Sequence, residues 1–136
     1  MENKHEQHSG SENESIASLI SKAVRHHGFG ELSKAEALYK RILVKDPDHL
    51  LAMKKYGVLA FQLGDYLLAE QLFDEAYAMA AFDEQLTVNL VLCKMKLDKL
   101  ADALPLIQII LQHNPDNKLA NRLRSEIALP ASDLVE

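Results

Sequence analysis

The sequence predicts an all-α protein: a stack of three helix-turn-helix repeats followed by one capping helix. Three observations predict it. The chain matches itself at an offset of 34 residues, which aligns Ala35 with Ala69 and Ala103, Tyr39 with Phe73 and Ile107, and Ile42 with Ala76 and Ile110. Each of these series follows a turn marked by Gly30, Gly64 or Asp98, themselves 34 residues apart. The composition, 48% hydrophobic but only 6% aromatic and without Trp, is rich in Ala and Leu, residues of high intrinsic helix propensity. A fixed period of this length marks units that cannot bury an apolar face alone and must stack to do so, with about three units as the minimum.

The elements follow in order. Residues 1–14 hold Glu2, Glu6, Glu12 and Glu14 against Lys4 and almost no apolar side chain, so they read as a disordered acidic arm. The domain spans 15–130 and begins with a repeat at 16–49, with helices expected over 16–27 and 33–45 around Gly28-Phe29-Gly30. Asp46-Pro47-Asp48 closes it, because the residue before Pro avoids the helical region and Pro does not extend a helix. The second repeat, 50–83, has helices over 50–63 and 66–80 around Gly64-Asp65, with Ala81 in the place of Pro47. The third, 84–117, has helices over 84–97 and 100–113 and ends at Asn114-Pro115-Asp116. Pro105 falls inside the last of these, where it removes a backbone hydrogen bond and predicts a kink or a late helix start. A capping helix is expected over 118–129, stopped by Pro130, with 131–136 as a fraying tail.

The formal charge of −5 belongs to the ends. The arm carries −3 and residues 131–136 carry −2 through Asp133 and Glu136, which leaves 15–130 balanced. There is no basic stripe for a nucleic acid and no glycine-rich phosphate loop. No segment approaches the roughly 20 apolar residues of a membrane span, and the first residues lack the apolar core of a secretory signal. With Cys93 the sole cysteine, no internal disulfide forms, and a cytoplasmic location is expected, without membrane contact.

Candidate chemistry is sparse. His5 and His8 lie in the arm, His26 and His27 are adjacent and point to different helix faces, and His49 and His113 flank turns, so no metal site is expected. Cys93 sits in an apolar run and reads as a small buried hydrophobe. Asp65, Glu70, Asp74 and Glu75 read as solvated charge. No catalytic residue and no cofactor is expected, and the chain is not read as an enzyme.

The middle repeat carries Met53, Tyr56, Gly57 and Ala60, then Gly64, Tyr66, Ala69, Phe73 and Ala76. In this pattern the chain resembles the tetratricopeptide repeat (TPR) family over about 16–117, with 118–129 in the place of its capping helix. Small residues such as Ala23, Gly57 and Ala69 stand where paired helices approach, and Tyr39 and Phe73 fill the space between one pair and the next. The chain departs from the family in having no Trp, Ala60 where an aromatic is usual, Ala81 for Pro, and Val91 for a smaller residue.

The resemblance implies a right-handed superhelix whose first helices line a concave groove for a partner peptide or helix. Carried onto this chain, that face holds Ile20, Val24 and His27 from the first repeat and Leu51, Lys54, Lys55, Val58 and Phe61 from the second. The third supplies Val88, Asn89, Leu92, Met95 and Lys96, and the capping helix supplies Arg122. Val24, Val58 and Leu92 share one register and form an apolar rail, edged by Lys54, Lys55, Lys96 and Arg122. The expected partner is a protein or peptide segment, apolar or amphipathic, with acidic groups. Family members that capture the C-terminal carboxylate of heat-shock chaperones use Lys and Asn, then Asn, then Lys and Arg. The matching positions here are Ile20, Val24, Lys55, Gln85 and Asn89, so that clamp is absent. The expected function is a non-catalytic adaptor or scaffold. The alternative is a dedicated chaperone of a bacterial type III secretion system, holding an export substrate in the same groove. Self-association is a further expectation, since a short stack exposes its apolar ends and Leu119, Leu123 and Ile127 cap only one of them.

Overall fold

The computed structural model describes residues 13–135, with side chains through Ile127. Among these residues seven helices follow one another: α1 (Ile16–Gly28), α2 (Leu32–Lys45), α3 (Leu50–Gln62), α4 (Tyr66–Met79), α5 (Glu84–Lys96), α6 (Leu100–His113) and α7 (Lys118–Val135). The first six form three antiparallel pairs whose ends fall within a residue of the sequence expectation. Most of the expected arm, residues 1–12, lies outside the described residues. Glu14 does not belong to an arm: its carboxylate accepts from the Ser18 hydroxyl (2.6 Å) and pairs with Lys22, so it is tied to the first two turns of α1 from just ahead of them.

A second 34-residue series starts the helices. Ser15, His49, Asp83 and Asn117 each place a side-chain acceptor on the backbone N–H three residues on, at 3.1, 3.1, 3.0 and 2.8 Å respectively. Each satisfies one of the N–H groups that a helix start leaves without a partner. The ends of α1, α3 and α5 are equally regular. Glu31, Asp65 and Lys99 donate their N–H back to the carbonyls of His26, Ala60 and Lys94, at 2.9, 2.9 and 2.8 Å. The residue before each donor is left-handed: Gly30 (φ 77°), Gly64 (φ 79°) and Asp98 (φ 58°). Asp tolerates this region less well than Gly. Asp98→Gly should therefore stabilise the fold by about 0.5–1 kcal/mol, read as a higher melting temperature.

Two prolines stand inside helices. Helix α6 starts at Leu100 and runs unbroken through Pro105 to His113, so there is no late start. The carbonyl that loses its partner belongs to Ala101, which is exposed and can turn to water. Pro130 does not stop α7 either, and the expected tail at 131–135 continues the helix to Val135. Here the carbonyl at stake is that of Glu126, again an exposed residue.

The core lies between successive helices as three clusters. The first joins Leu19, Ala23, Tyr39, Ile42 and Tyr56; the second Met53, Ala69, Phe73, Leu86 and Leu90; the third Val91, Ala103, Ile107, Ala120 and Leu123. The small-residue expectation has a sharp physical basis at Gly57. A Cβ there would lie 2.4 Å from a ring carbon of Phe73, which is 1% exposed. In the third repeat the volumes are redistributed: Val91 replaces the glycine and Ile107 replaces the phenylalanine, and both are buried together. Tyr39 stacks on Tyr56 at 6.0 Å between the first and second pairs, and burial pushes its hydroxyl up to about 12.

Glu70 corrects a sequence reading. It is 8% exposed, and its carboxylate accepts from Lys94 (2.8 Å) and from Lys99 (2.9 Å). Lys94, itself 9% exposed, stands on α5 where the second repeat has Ala60, and it reaches Asp74 at 3.4 Å as well. The acid on α4 is thus a buried tie to α5 and α6. Asp74 and Glu75 are exposed, as expected.

Candidate peptide-binding groove

The first helices of successive repeats touch each other, α1 with α3 and α3 with α5, and no comparable contact joins α2 to α4 or α4 to α6. This unequal spacing bends the stack towards its first helices, whose free face is the concave one. Between α3 and α5 that face opens into two adjoining cavities. One, of about 220 Å³, is walled by Val58, Phe61, Gln62, Phe73, Asn89 and Leu92. The other, of about 210 Å³, is walled by Leu51, Lys54, Lys55, Val58, Asp83, Gln85, Leu86 and Asn89. Val58 and Asn89 line both. Pockets that enclose a whole small molecule run from about 300 to 1,000 Å³. Each of these two adjoining cavities is smaller than that and open to solvent.

The structure brings Leu51, Lys54, Lys55, Val58, Phe61, Asn89 and Leu92 to these cavities. Val24 stands outside them and is 40% exposed. Ile20 packs on the first core cluster, and Val88 and Met95 on the third. His27 is a link between repeats: with its Nε2–H donating to Gln62 Oε1 (2.7 Å), Nδ1 accepts from the Tyr39 hydroxyl (3.1 Å). Arg122 is exposed and faces Glu126 along its own helix at 3.7 Å.

The cations differ in availability. Lys54 pairs with Asp83 at 2.9 Å. That bond, with the N–H of Leu86, holds the Asp83 carboxyl below the usual carboxylate range. Lys96 lies 5.7 Å from the ring centre of Tyr66, which packs edge-on against Phe61. Lys55 is exposed and has no carboxylate partner among the described residues. Asp83 is the charged groove residue that sequence reasoning missed, beside the core residues Phe73 and Leu86, and its place in the series of helix-starting residues is the signal that could have found it.

Elsewhere the chemistry is quiet. Among the described residues no group of three or more His, Cys, Asp or Glu could hold a metal ion, and no helix is long and apolar enough to cross a membrane. The thiol of Cys93 is buried, and burial pushes it up to about 12, which leaves it protonated at neutral pH.

Paired helices in a bent stack, with a groove along the first helices, define a helical-repeat protein with an open concave face. A sequence profile of the tetratricopeptide repeat family matches residues 22–84, and the helix pairs stack in the fold of that family. No curated protein sequence is a significant match to it. Among solved structures it is similar to YrrB, described as a TPR protein with an unusual peptide-binding site, at 24% identity over 84% of this chain and TM-score 0.74. The chain spans 59% of the length of YrrB. It is also similar to the first TPR of Spaghetti (RPAP3) bound to the HSP90 peptide SRMEEVD, at 19% identity, 86% of this chain, 95% of that one and TM-score 0.72. MamA from Desulfovibrio magneticus RS-1 matches at 17% identity, 90% of this chain, 69% of that one and TM-score 0.80. At these identities the likeness is one of fold.

Proposed function

We propose that this protein is a non-catalytic adaptor of the cytosol that binds a partner segment in the groove between α3 and α5. The observation that carries the reading is the pair of adjoining cavities, one apolar and one edged by Lys55. The favoured ligand places bulky apolar side chains against Val58, Phe61 and Leu92 and a carboxylate near Lys55. The peptide-binding site described for YrrB and the HSP90 peptide bound by the Spaghetti repeat support the class of ligand. The absent carboxylate clamp argues against the chaperone-tail peptide itself.

Lys55→Glu is the decisive variant. Lys54 is a poor probe, because its replacement by Glu would set a like charge against Asp83, which starts α5. Lys55→Glu should weaken binding of an amphipathic acidic peptide by about tenfold, read by titration calorimetry, with unchanged circular dichroism. Equal affinity in the variant would remove the groove assignment.

A further inference from the structure

The donor and acceptor roles at one end of the groove are fixed from the core outwards. Tyr39 is 0% exposed, and its hydroxyl meets one partner among the described residues, Nδ1 of His27 at 3.1 Å. A buried O–H that donates to nothing is costly, so the hydroxyl donates and Nδ1 accepts. A neutral imidazole with Nδ1 bare carries its proton on Nε2. That N–H lies 2.7 Å from the side-chain oxygen Oε1 of Gln62 and donates to it. The oxygen of Gln62 is thereby turned to His27, and its amide nitrogen has no partner among the described residues. Gln62 is exposed, ends α3, and stands in the cavity wall with Val58, Phe61, Phe73 and Leu92. The cavity therefore meets the free N–H groups of an amide whose orientation is set by a buried tyrosine of the neighbouring repeat.

We propose that Tyr39 and His27 are positioning residues that hold Gln62 as a hydrogen-bond donor, and that its amide binds a main-chain carbonyl of a non-helical partner segment. The proposal rests on the groove reading above and names the chemistry selected at this end of it. The group that Gln62 binds must be an acceptor, because the Gln62 oxygen is already taken. A neutral carbonyl is favoured over a carboxylate there. The other side chains of this wall, Asn89 apart, are apolar, and a charge costs far more than a carbonyl to bring out of water. Lys55, on the wall of the adjoining cavity, is the place for the carboxylate. Within a helix each main-chain carbonyl is already bonded to the N–H four residues on, which leaves only the last four open. A non-helical segment keeps its carbonyls open along its length, so it brings an apolar side chain and an acceptor into one cavity.

Two measurements on the full chain test it. Without any ligand, long-range proton–nitrogen NMR correlations read which imidazole nitrogen of His27 carries the proton, at a pH where the ring is neutral. The proton should sit on Nε2, and Tyr39→Phe should give a mixture of the two forms. A wild-type chain with the proton on Nδ1 overturns the proposal. Binding is then read by titration calorimetry with the tightest peptide selected from a random library displayed on phage. Each amide of that peptide is replaced in turn by an ester, which weakens the carbonyl at that bond as an acceptor. One ester should lower affinity for the wild-type chain by ~3–10-fold, the worth of a neutral hydrogen bond, and have no effect with Gln62→Met. In Tyr39→Phe the same ester should cost less than in wild type, which a purely structural tyrosine would not produce. Esters that cost Gln62→Met as much as wild type at every position overturn the proposal, and an equal cost in Tyr39→Phe removes the positioning role. A peptide that binds as a helix, read from the chemical shifts of the labelled peptide, overturns the non-helical segment. Lys55→Glu with the same peptide keeps the two readings apart. If it weakens binding by ~10-fold while no ester couples to Gln62, the proposal falls and the groove stands. If it binds equally, or no peptide is selected, the groove reading falls and the proposal with it.

Discussion

Truncation of Phe73 to alanine should cost the fold about 3–5 kcal/mol, a large share of the ~5–15 kcal/mol that holds a domain together. The ring is 1% exposed and sits where α3, α4 and α5 meet, packed with Met53, Leu86 and Leu90. Its removal opens a cavity between the second and third repeats that rigid helices cannot close. Urea unfolding followed by circular dichroism measures the loss. A companion substitution makes the mechanism explicit. Gly57→Ala in the native background forces a methyl to 2.4 Å from the ring, an overpacking cost of about 1–3 kcal/mol that exceeds the ~1 kcal/mol gained in helix propensity. In the Phe73→Ala background the same methyl enters empty space, and the sign should reverse. An unchanged sign would mean that the ring does not dictate the glycine.

Glu70→Ala should cost about 3 kcal/mol, because it leaves the ammonium of Lys94 buried with only Asp74, at 3.4 Å, to face it. The pair as a whole is worth much less than either half. Glu70→Leu combined with Lys94→Met should lie near wild-type stability, since apolar side chains of similar volume avoid the desolvation that both charges pay. The pH dependence has a definite sign. Burial pushes the Glu70 carboxyl up, but hydrogen bonds from Lys94 and Lys99 outweigh it and bring it below its ordinary value of 4.5. Its stabilisation is therefore present above pH 4.5 and lost as pH falls through the lower folded value. Burial pulls Lys94 down, but the bond to Glu70 and the nearby acids raise it above 10.5, so its share is lost only as pH rises beyond that. Thermal melts across pH should show the wild-type chain weakening at both extremes and the double variant responding less.

The repeat was legible because its markers are chemically alike: three alanines, two positive-φ glycines with one aspartate, and a bulky residue between pairs. The helix starts escaped notice because Ser15, His49, Asp83 and Asn117 share an acceptor atom and not a residue type. Glu70 and Lys94 escaped for another reason. Glu70 repeats Glu36 one period on, but an acid read from sequence alone looks solvated until packing brings a base to it, here Lys94 at 2.8 Å. The groove was legible as a face and not as a site. Which first-helix side chains line a cavity depends on how the stack bends. That bend leaves the half-buried Ile20, Val88 and Met95 against the first and third clusters, outside the cavities, while Val58, packed on the second cluster, and Leu92 form the wall. Val91 looked like a departure because its compensating partner, Ile107, lies sixteen residues on in the facing helix.

The division of the core into three clusters, each confined to neighbouring helices, bears on how the protein is made. The first cluster draws on residues from Leu19 to Leu72 and on nothing later. A chain emerging from the ribosome can seal Tyr39 against Tyr56 once α4 is clear of the exit tunnel, before the second half has been synthesised. No early segment has to wait for a distant one, and contact patterns this local belong to chains that fold in microseconds to milliseconds. Synthesis, at about 5–20 residues per second, is then the slow step, and the stack assembles at the pace of translation.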